Sequence, residues 1–166
     1  MNKFLKYLCV FGMAMLPIVE LRGAIPFGHG IDGLMLFGQN INGLGLPLIP
    51  VLLVSILGNM VPVPFIILFI RPIFNWMKKK SRWMAKIVNR LEARAKNKHE
   101  MIVKYQMLGL FILVAIPLPG TGAWTGALVA ALFDLRLKNA VPVILAGVTA
   151  AGVITSIILF GVSALV

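Results

Sequence analysis

The stretch Met15-Leu-Pro-Ile-Val-Glu-Leu-Arg-Gly-Ala-Ile-Pro26 decides how this chain is read. Back to Tyr7 its neighbours are apolar or small, as in a membrane segment. Yet Glu20 and Arg22 place opposite charges two residues apart within it, between Pro17 and Pro26. A charged side chain at bilayer depth costs roughly 2.5–3.5 kcal/mol on insertion scales, so it normally faces a protein interior or a wet cavity. Proline removes a backbone donor and interrupts a helix. The combination predicts a broken helix carrying a polar site.

Composition agrees with a membrane setting. The chain has 166 residues, 60% of them hydrophobic, and five acidic side chains. A soluble domain of this size cannot hide that much apolar surface. One membrane domain, residues 1–166, is the natural count. The net charge of +11 is uneven: eleven of the sixteen Lys and Arg residues fall between Arg71 and Lys104. A basic stretch between apolar segments reads as a cytoplasmic loop under the positive-inside rule. This predicts a multi-pass protein of the inner (plasma) membrane with residues 71–104 in the cytoplasm. Lys78, Lys79, Lys80, Arg82, Lys86 and Arg90 are placed to attract anionic lipid head groups. Topology accounts for the excess charge, and no nucleic-acid motif accompanies it, so no nucleic-acid partner is expected. Cys9 stands alone, which excludes an intrachain disulfide and a cysteine metal site. Residues 1–24 resemble a signal peptide but lack a clear cleavage site, and are read as retained.

Four apolar blocks follow: Phe4–Val19, Leu46–Ile70, Met107–Leu135 and Ala140–Val166. A helix needs about 20 residues to cross the hydrocarbon core, so the second and fourth blocks are long enough. The third is broken at Pro117-Leu-Pro-Gly120 into arms Tyr105–Ile116 and Ala123–Leu135. At 1.5 Å per residue each reaches about 18–20 Å, which predicts a re-entrant hairpin. The first block reads similarly, with one arm over Phe4–Leu16, a break from Pro17 to Pro26, and a second arm from about Ile31 into Phe37.

Pro50-Val-Leu-Leu-Val-Ser-Ile-Leu-Gly-Asn-Met-Val61 resembles Pro142-Val-Ile-Leu-Ala-Gly-Val-Thr-Ala-Ala-Gly-Val153, and a proline-broken segment precedes each. Two repeats, 1–70 and 105–166, joined by the basic helix or loop at 71–104, would each comprise a re-entrant helical hairpin plus a transmembrane helix. An odd number of crossings per unit requires the units to be inverted. The expected fold is therefore an all-α integral membrane protein of two inverted repeats. Broken helices meeting near the midplane are the architecture of many secondary transporters.

Glu20 is the candidate proton-exchanging group: a low dielectric disfavours its charged form, and a nearby cation opposes this. Two readings of Arg22 stand open, a clamp on anionic oxygens or a side chain that snorkels to the interface. Asp32 is a third acid near membrane depth. Around the second break, Pro117, Pro119 and Gly120 shape the turn. Thr121, Gly122, Trp124 and Thr125 open a helix whose free N–H groups attract anions. Arg136 follows the second arm. Asn59 lies in a spanning helix and has amide groups to bond across helices. His29 and His99 share no ligand spacing, and no Ser/His/Asp set, phosphate loop or dinucleotide fingerprint appears. No enzyme activity, metal or cofactor is expected.

Glu20-Leu-Arg-Gly-Ala-Ile-Pro26 together with Leu118-Pro-Gly-Thr-Gly-Ala-Trp-Thr-Gly-Ala-Leu-Val-Ala-Ala-Leu-Phe133 resembles the small multidrug export protein family. More distantly, the pattern is similar to the DedA superfamily, whose members are linked to translocation of polyprenyl phosphates or phospholipids driven by the proton gradient. The resemblance implies that Glu20 matches the first-hairpin acid, Pro119-Gly120 the second-hairpin turn, and Arg136 the basic residue after the second arm. The arginine usual before the Pro-Gly turn is replaced by Ala115 and Ile116, and Arg22 stands ready to supply that charge from the other hairpin.

These readings lead to a transporter or flippase for an anionic lipid carrier, with protons as the coupled ion. The alternatives are a proton-coupled small-molecule or multidrug exporter and a non-transporting scaffold acting through the basic loop. A homodimer packed on Gly147, Ala150, Ala151 and Gly152 is one use of that small-residue face; packing within one chain is the other.

Overall fold

The computed structural model describes residues 2–30, 34–36, 39–41, 43–80, 86, 99–118, 120–133 and 135–161. Proline placement sets its helix ends. Helix α1 (Lys3–Met15) stops at Leu16, whose extended backbone (φ −75°, ψ 135°) is the conformation a residue before proline prefers. The chain turns and restarts as α2 (Glu20–His29), with Glu20 in the left-handed region at φ 49°. Gly30, at φ 115°, ends α2.

The helix that follows the first turn is therefore Glu20–His29; of the second arm expected from Ile31 into Phe37, Leu34–Leu36 is strand and the rest lies outside the described residues. Pro26 lies inside α2. It forfeits one backbone hydrogen bond, yet α2 continues past it to His29, as membrane helices tolerate. The glycine-rich stretch that follows holds a short antiparallel hairpin, β1 (Leu34–Leu36) on β2 (Gln39–Ile41), with Leu34 opposite Ile41. It is a small departure from an otherwise helical fold.

Helices α3 (Leu48–Met60) and α4 (Pro62–Lys80) run on through Val61, which is itself helical. Pro62 opens α4 without an N–H to donate to the Gly58 carbonyl, which accepts from Val61 N–H instead. Leu48–Ile70 is a candidate span of 23 residues, about 35 Å long at 1.5 Å per residue. Arg71–Lys80 continues α4, so the basic connector starts as helix; most of it, residues 81–85 and 87–98, lies outside the described residues.

Helix α5 (His99–Ala115) begins six residues before the expected arm and ends ahead of Pro117. Helix α6 (Ala123–Leu132) stops three residues short of Leu135, at a turn on Phe133. Helix α7 (Leu137–Phe160), with 24 residues, is the second candidate span. The helical class and the two helices long and apolar enough to span thus match the sequence reading.

Close packing is glycine-based in both halves. A Cβ at Gly58 of α3 would come 2.5 Å from the Phe11 carbonyl oxygen of α1, and one at Gly28 of α2 would come 2.7 Å from Val51. Val114 of α5 enters the facing hollows of Gly126 on α6 and Gly147 on α7, where an added Cβ would meet it at 2.5 and 2.7 Å. Gly152 packs on Leu52. Of the small-residue face considered for a homodimer, Gly147, Ala151 and Gly152 are thus buried within one chain.

Several contacts fix which helix ends lie together. Lys6 Nζ donates to the Leu44 carbonyl at 2.7 Å, and His29 Nδ1 bonds the Leu46 carbonyl at 2.9 Å. Leu44 N–H and Leu46 N–H donate to the Phe27 and Gly28 carbonyls. The start of α1 and the end of α2 therefore both sit where the chain enters α3. The His29 ring packs edge-on against Phe160 at the end of α7, with centroids 4.6 Å apart.

Candidate functional site

The polar groups of the sequence gather where the α1–α2 turn meets the α5–α6 turn. Glu20 is 5% exposed. The Trp124 main-chain N–H donates to its carboxylate, at the start of α6, where free helix N–H groups favour negative charge. Gly122 lies directly against that carboxylate, and a Cβ there would overlap its oxygens. Burial disfavours the charged form of Glu20, while the Arg22 charge and the Trp124 N–H favour it.

Arg22 directs its donors to the opposite turn. Nη1 donates to the Leu118 carbonyl; Nη2 donates to the Thr121 carbonyl at 3.1 Å, the Thr121 hydroxyl at 2.9 Å and the Ile116 carbonyl at 3.3 Å. Its Nε is buried without a partner among the described residues. Carbonyls at the end of a helix lack intrahelical donors, and here the guanidinium supplies them. Thr121 extends the network by donating from Oγ1 to the Ile116 and Leu118 carbonyls, both at 2.8 Å. Thr125 Oγ1 donates to the Gly120 carbonyl at 2.8 Å. In the other direction, Trp124 Nε1 of α6 donates to the Met15 carbonyl, the last of α1, at 3.1 Å. Each hairpin thus satisfies the end of the other's first arm.

Between the turns opens a cleft of about 530 Å³, lined by residues including Glu20, Arg22, Pro17, Gly120, Thr121 and Thr125. Pro117 is also in its wall. Sequence reasoning therefore placed Glu20, Arg22, Pro117, Gly120 and Thr121 at one site. Gly122 belongs to it through Glu20. Trp124 acts from behind, through main chain and ring nitrogen, and its side chain is not among the lining residues. Arg136 is exposed at the far end of α6, about 15 Å along a ten-residue helix, and does not reach the cleft. Asp32 and Pro119 lie outside the described residues. The pairings of Arg22 with Thr121 and of Trp124 with Met15 were not anticipated. The available signal was a proline-ended helix whose carbonyls need outside donors.

Among the described residues no group of three or more His, Cys, Asp or Glu side chains is placed to hold a metal ion. The fold and site define a small helical membrane protein whose polar centre lies at the meeting of two broken helices. The chain belongs to the family described as "Putative small multi-drug export protein", whose model matches residues 20–154. That match begins at Glu20, just after the α1–α2 turn, and takes in the α5–α6 turn and most of α7. No curated protein and no solved structure matches the chain.

Proposed function

We propose that the protein is a proton-linked exporter of small cationic compounds, with Glu20 holding either a proton or the cation. The observation that carries this reading is the Glu20 carboxylate: buried, held in left-handed backbone, and set in the wall of a cleft. An ionisable group at membrane depth marks an ion or substrate pathway by default. A proton or a cation each neutralises the carboxylate, so the two compete, and competition at one site is what exchange requires. When Glu20 is neutral, its hold on the start of α6 weakens and the two turns are freer to part.

The topology that suits this mechanism is two inverted units with re-entrant hairpins. Its support is the placement of helix ends. Both ends of the α1–α2 hairpin lie at the entry to α3. The α5–α6 hairpin connects to the basic segment at one end and to the start of α7 at the other, and α7 finishes against His29. With the basic segment in the cytoplasm, the hairpins enter from opposite faces and meet at Glu20 and Arg22. The chain then needs no enzymatic step and no cofactor.

An anionic lipid carrier is the second reading. The start of α6 in the cleft wall favours it. It ranks below because Arg22 is engaged with carbonyl oxygens and Arg136 lies at the far end of α6.

The test uses purified protein in liposomes with an acidic lumen. Wild type is expected to accumulate ethidium, a quaternary ammonium dye, while Glu20→Gln folds normally and accumulates none. Equal uptake by the variant overturns the assignment of Glu20. Movement of a short-chain polyprenyl phosphate without dye uptake selects the second reading, and movement of neither selects a scaffold.

A further inference from the structure

Hydroxyl groups in membrane helices commonly bond back to their own helix, and α7 shows this. Thr149 Oγ1 donates to the Leu145 carbonyl and Ser156 Oγ to the Gly152 carbonyl, each at 2.8 Å. Ser55 and Asn59 of α3 behave differently. Both are 0% exposed. Yet Ser55 Oγ and both amide atoms of Asn59 have no partner among the described residues.

The two stand four residues apart, on the face of α3 that also carries Leu52 and Ile56. That face belongs to the core shared with Ile144 and Val148 of α7, and Leu52 reaches Gly152. Turning α3 would not relieve them, because Gly58 is seated on the Phe11 carbonyl and any rotation lifts it off. Each unbonded group therefore carries its desolvation penalty, in a position where leucine and alanine would carry none. Three open polar atoms one helical turn apart match what a buried water bonds. Hydroxyl and amide side chains at this depth commonly bond across helices, and these two have no such partner among the described residues.

We propose that the Ser55–Asn59 face of α3 is a water-binding stretch of the translocation pathway, hydrated when α3 and α7 part. The inference rests on the transporter reading above and adds a second polar station. It is separate from the Glu20 cleft, whose wall contains neither residue.

Single-cysteine proteins in a Cys9→Ala background test this in liposomes, with a charged, membrane-impermeant methanethiosulfonate as probe. If the hydrated state holds about 0.1–10% of molecules, Ser55→Cys and Asn59→Cys react at about that fraction of the free-thiol rate. Val51→Cys, buried against α2, and Leu57→Cys, facing lipid, do not react. Rates for Ser55→Cys and Asn59→Cys no higher than these controls, in a protein that still moves ethidium, overturn the hydrated face and leave the exporter reading intact. Labelling of Ser55→Cys and Asn59→Cys, where the wild-type protein itself moves no dye, supports the hydrated face and retires the exporter reading. As a second measurement, Asn59→Leu is expected to fold and lose transport. Wild-type transport by that variant overturns the proposal.

Discussion

Arg22 and Thr121, 99 residues apart in the chain, are joined twice: one guanidinium nitrogen donates to both the carbonyl and the hydroxyl oxygen of Thr121. The contact fastens the second turn to the first and gives the end of α5 the donors it lacks. Arg22→Ala leaves those carbonyls to find other donors, and hydrogen bonds from charged groups contribute about 1.5–3 kcal/mol. A loss of that size in unfolding free energy is expected. Arg22→Lys recovers part of it, since a lysine ammonium cannot span three carbonyls and a hydroxyl as a planar fork does. Thermal unfolding in detergent reads both. Equal stability of Arg22→Ala and wild type would show that the clasp contributes nothing.

Gly122 and Glu20 are expected to be energetically coupled. Gly122 has φ 131°, and its Cα lies against the Glu20 carboxylate. Gly122→Ala adds backbone strain of about 1–3 kcal/mol and a steric clash. Glu20→Ala removes the clash but not the strain. The double variant should therefore be more stable than the sum of the single changes predicts, by about 0.5–3 kcal/mol for residues in contact. Additive losses would place the carboxylate elsewhere.

Trp124→Phe retains an aromatic ring and deletes the donor to Met15. The expected cost is about 1 kcal/mol, the net value of one hydrogen bond. Because Trp124 is not among the residues lining the cleft, dye uptake by the folded variant should stay near wild type. A large transport defect at unchanged stability would instead place the indole in the pathway.

Much of this arrangement was legible in the sequence. Pro17 and Pro117 told where the first arms end, because a residue before proline avoids helical backbone. The length of the apolar runs told which helices can span. The charges of Glu20 and Arg22 pointed to the cleft in whose wall both lie, since such groups are costly in lipid. What sequence did not reveal was the restart of helix at Glu20. Pro26 reads as a breaker, yet proline at a helical φ forfeits one hydrogen bond and need not end a membrane helix. Nor did it reveal that Arg22 donates to main-chain oxygens of the other turn. That depends on a 99-residue juxtaposition which residue type alone cannot encode. Arg136 was grouped with the site by resemblance; the ten residues of α6 carry it away.

The glycines of the spanning helices supply a prediction about what the small-residue faces are for. A Cβ at Gly152 meets the Leu52 Cδ1 methyl, the free end of a flexible side chain, at 2.7 Å. A Cβ at Gly58 meets the Phe11 carbonyl oxygen at 2.5 Å, and backbone cannot swing aside. Overpacking typically costs about 1–3 kcal/mol. Gly58→Ala should lie at the upper end of that range and Gly152→Ala near or below its lower end, even though both glycines are buried in candidate spanning helices. A helix-propensity effect would favour alanine at both sites alike, so the ordering isolates the close approach of α1 and α3. Thermal unfolding of the two variants side by side decides it. Were Gly152→Ala the more damaging, α7 rather than α1 would be the tighter partner of α3, and Gly58 would not be what fixes the rotation of α3.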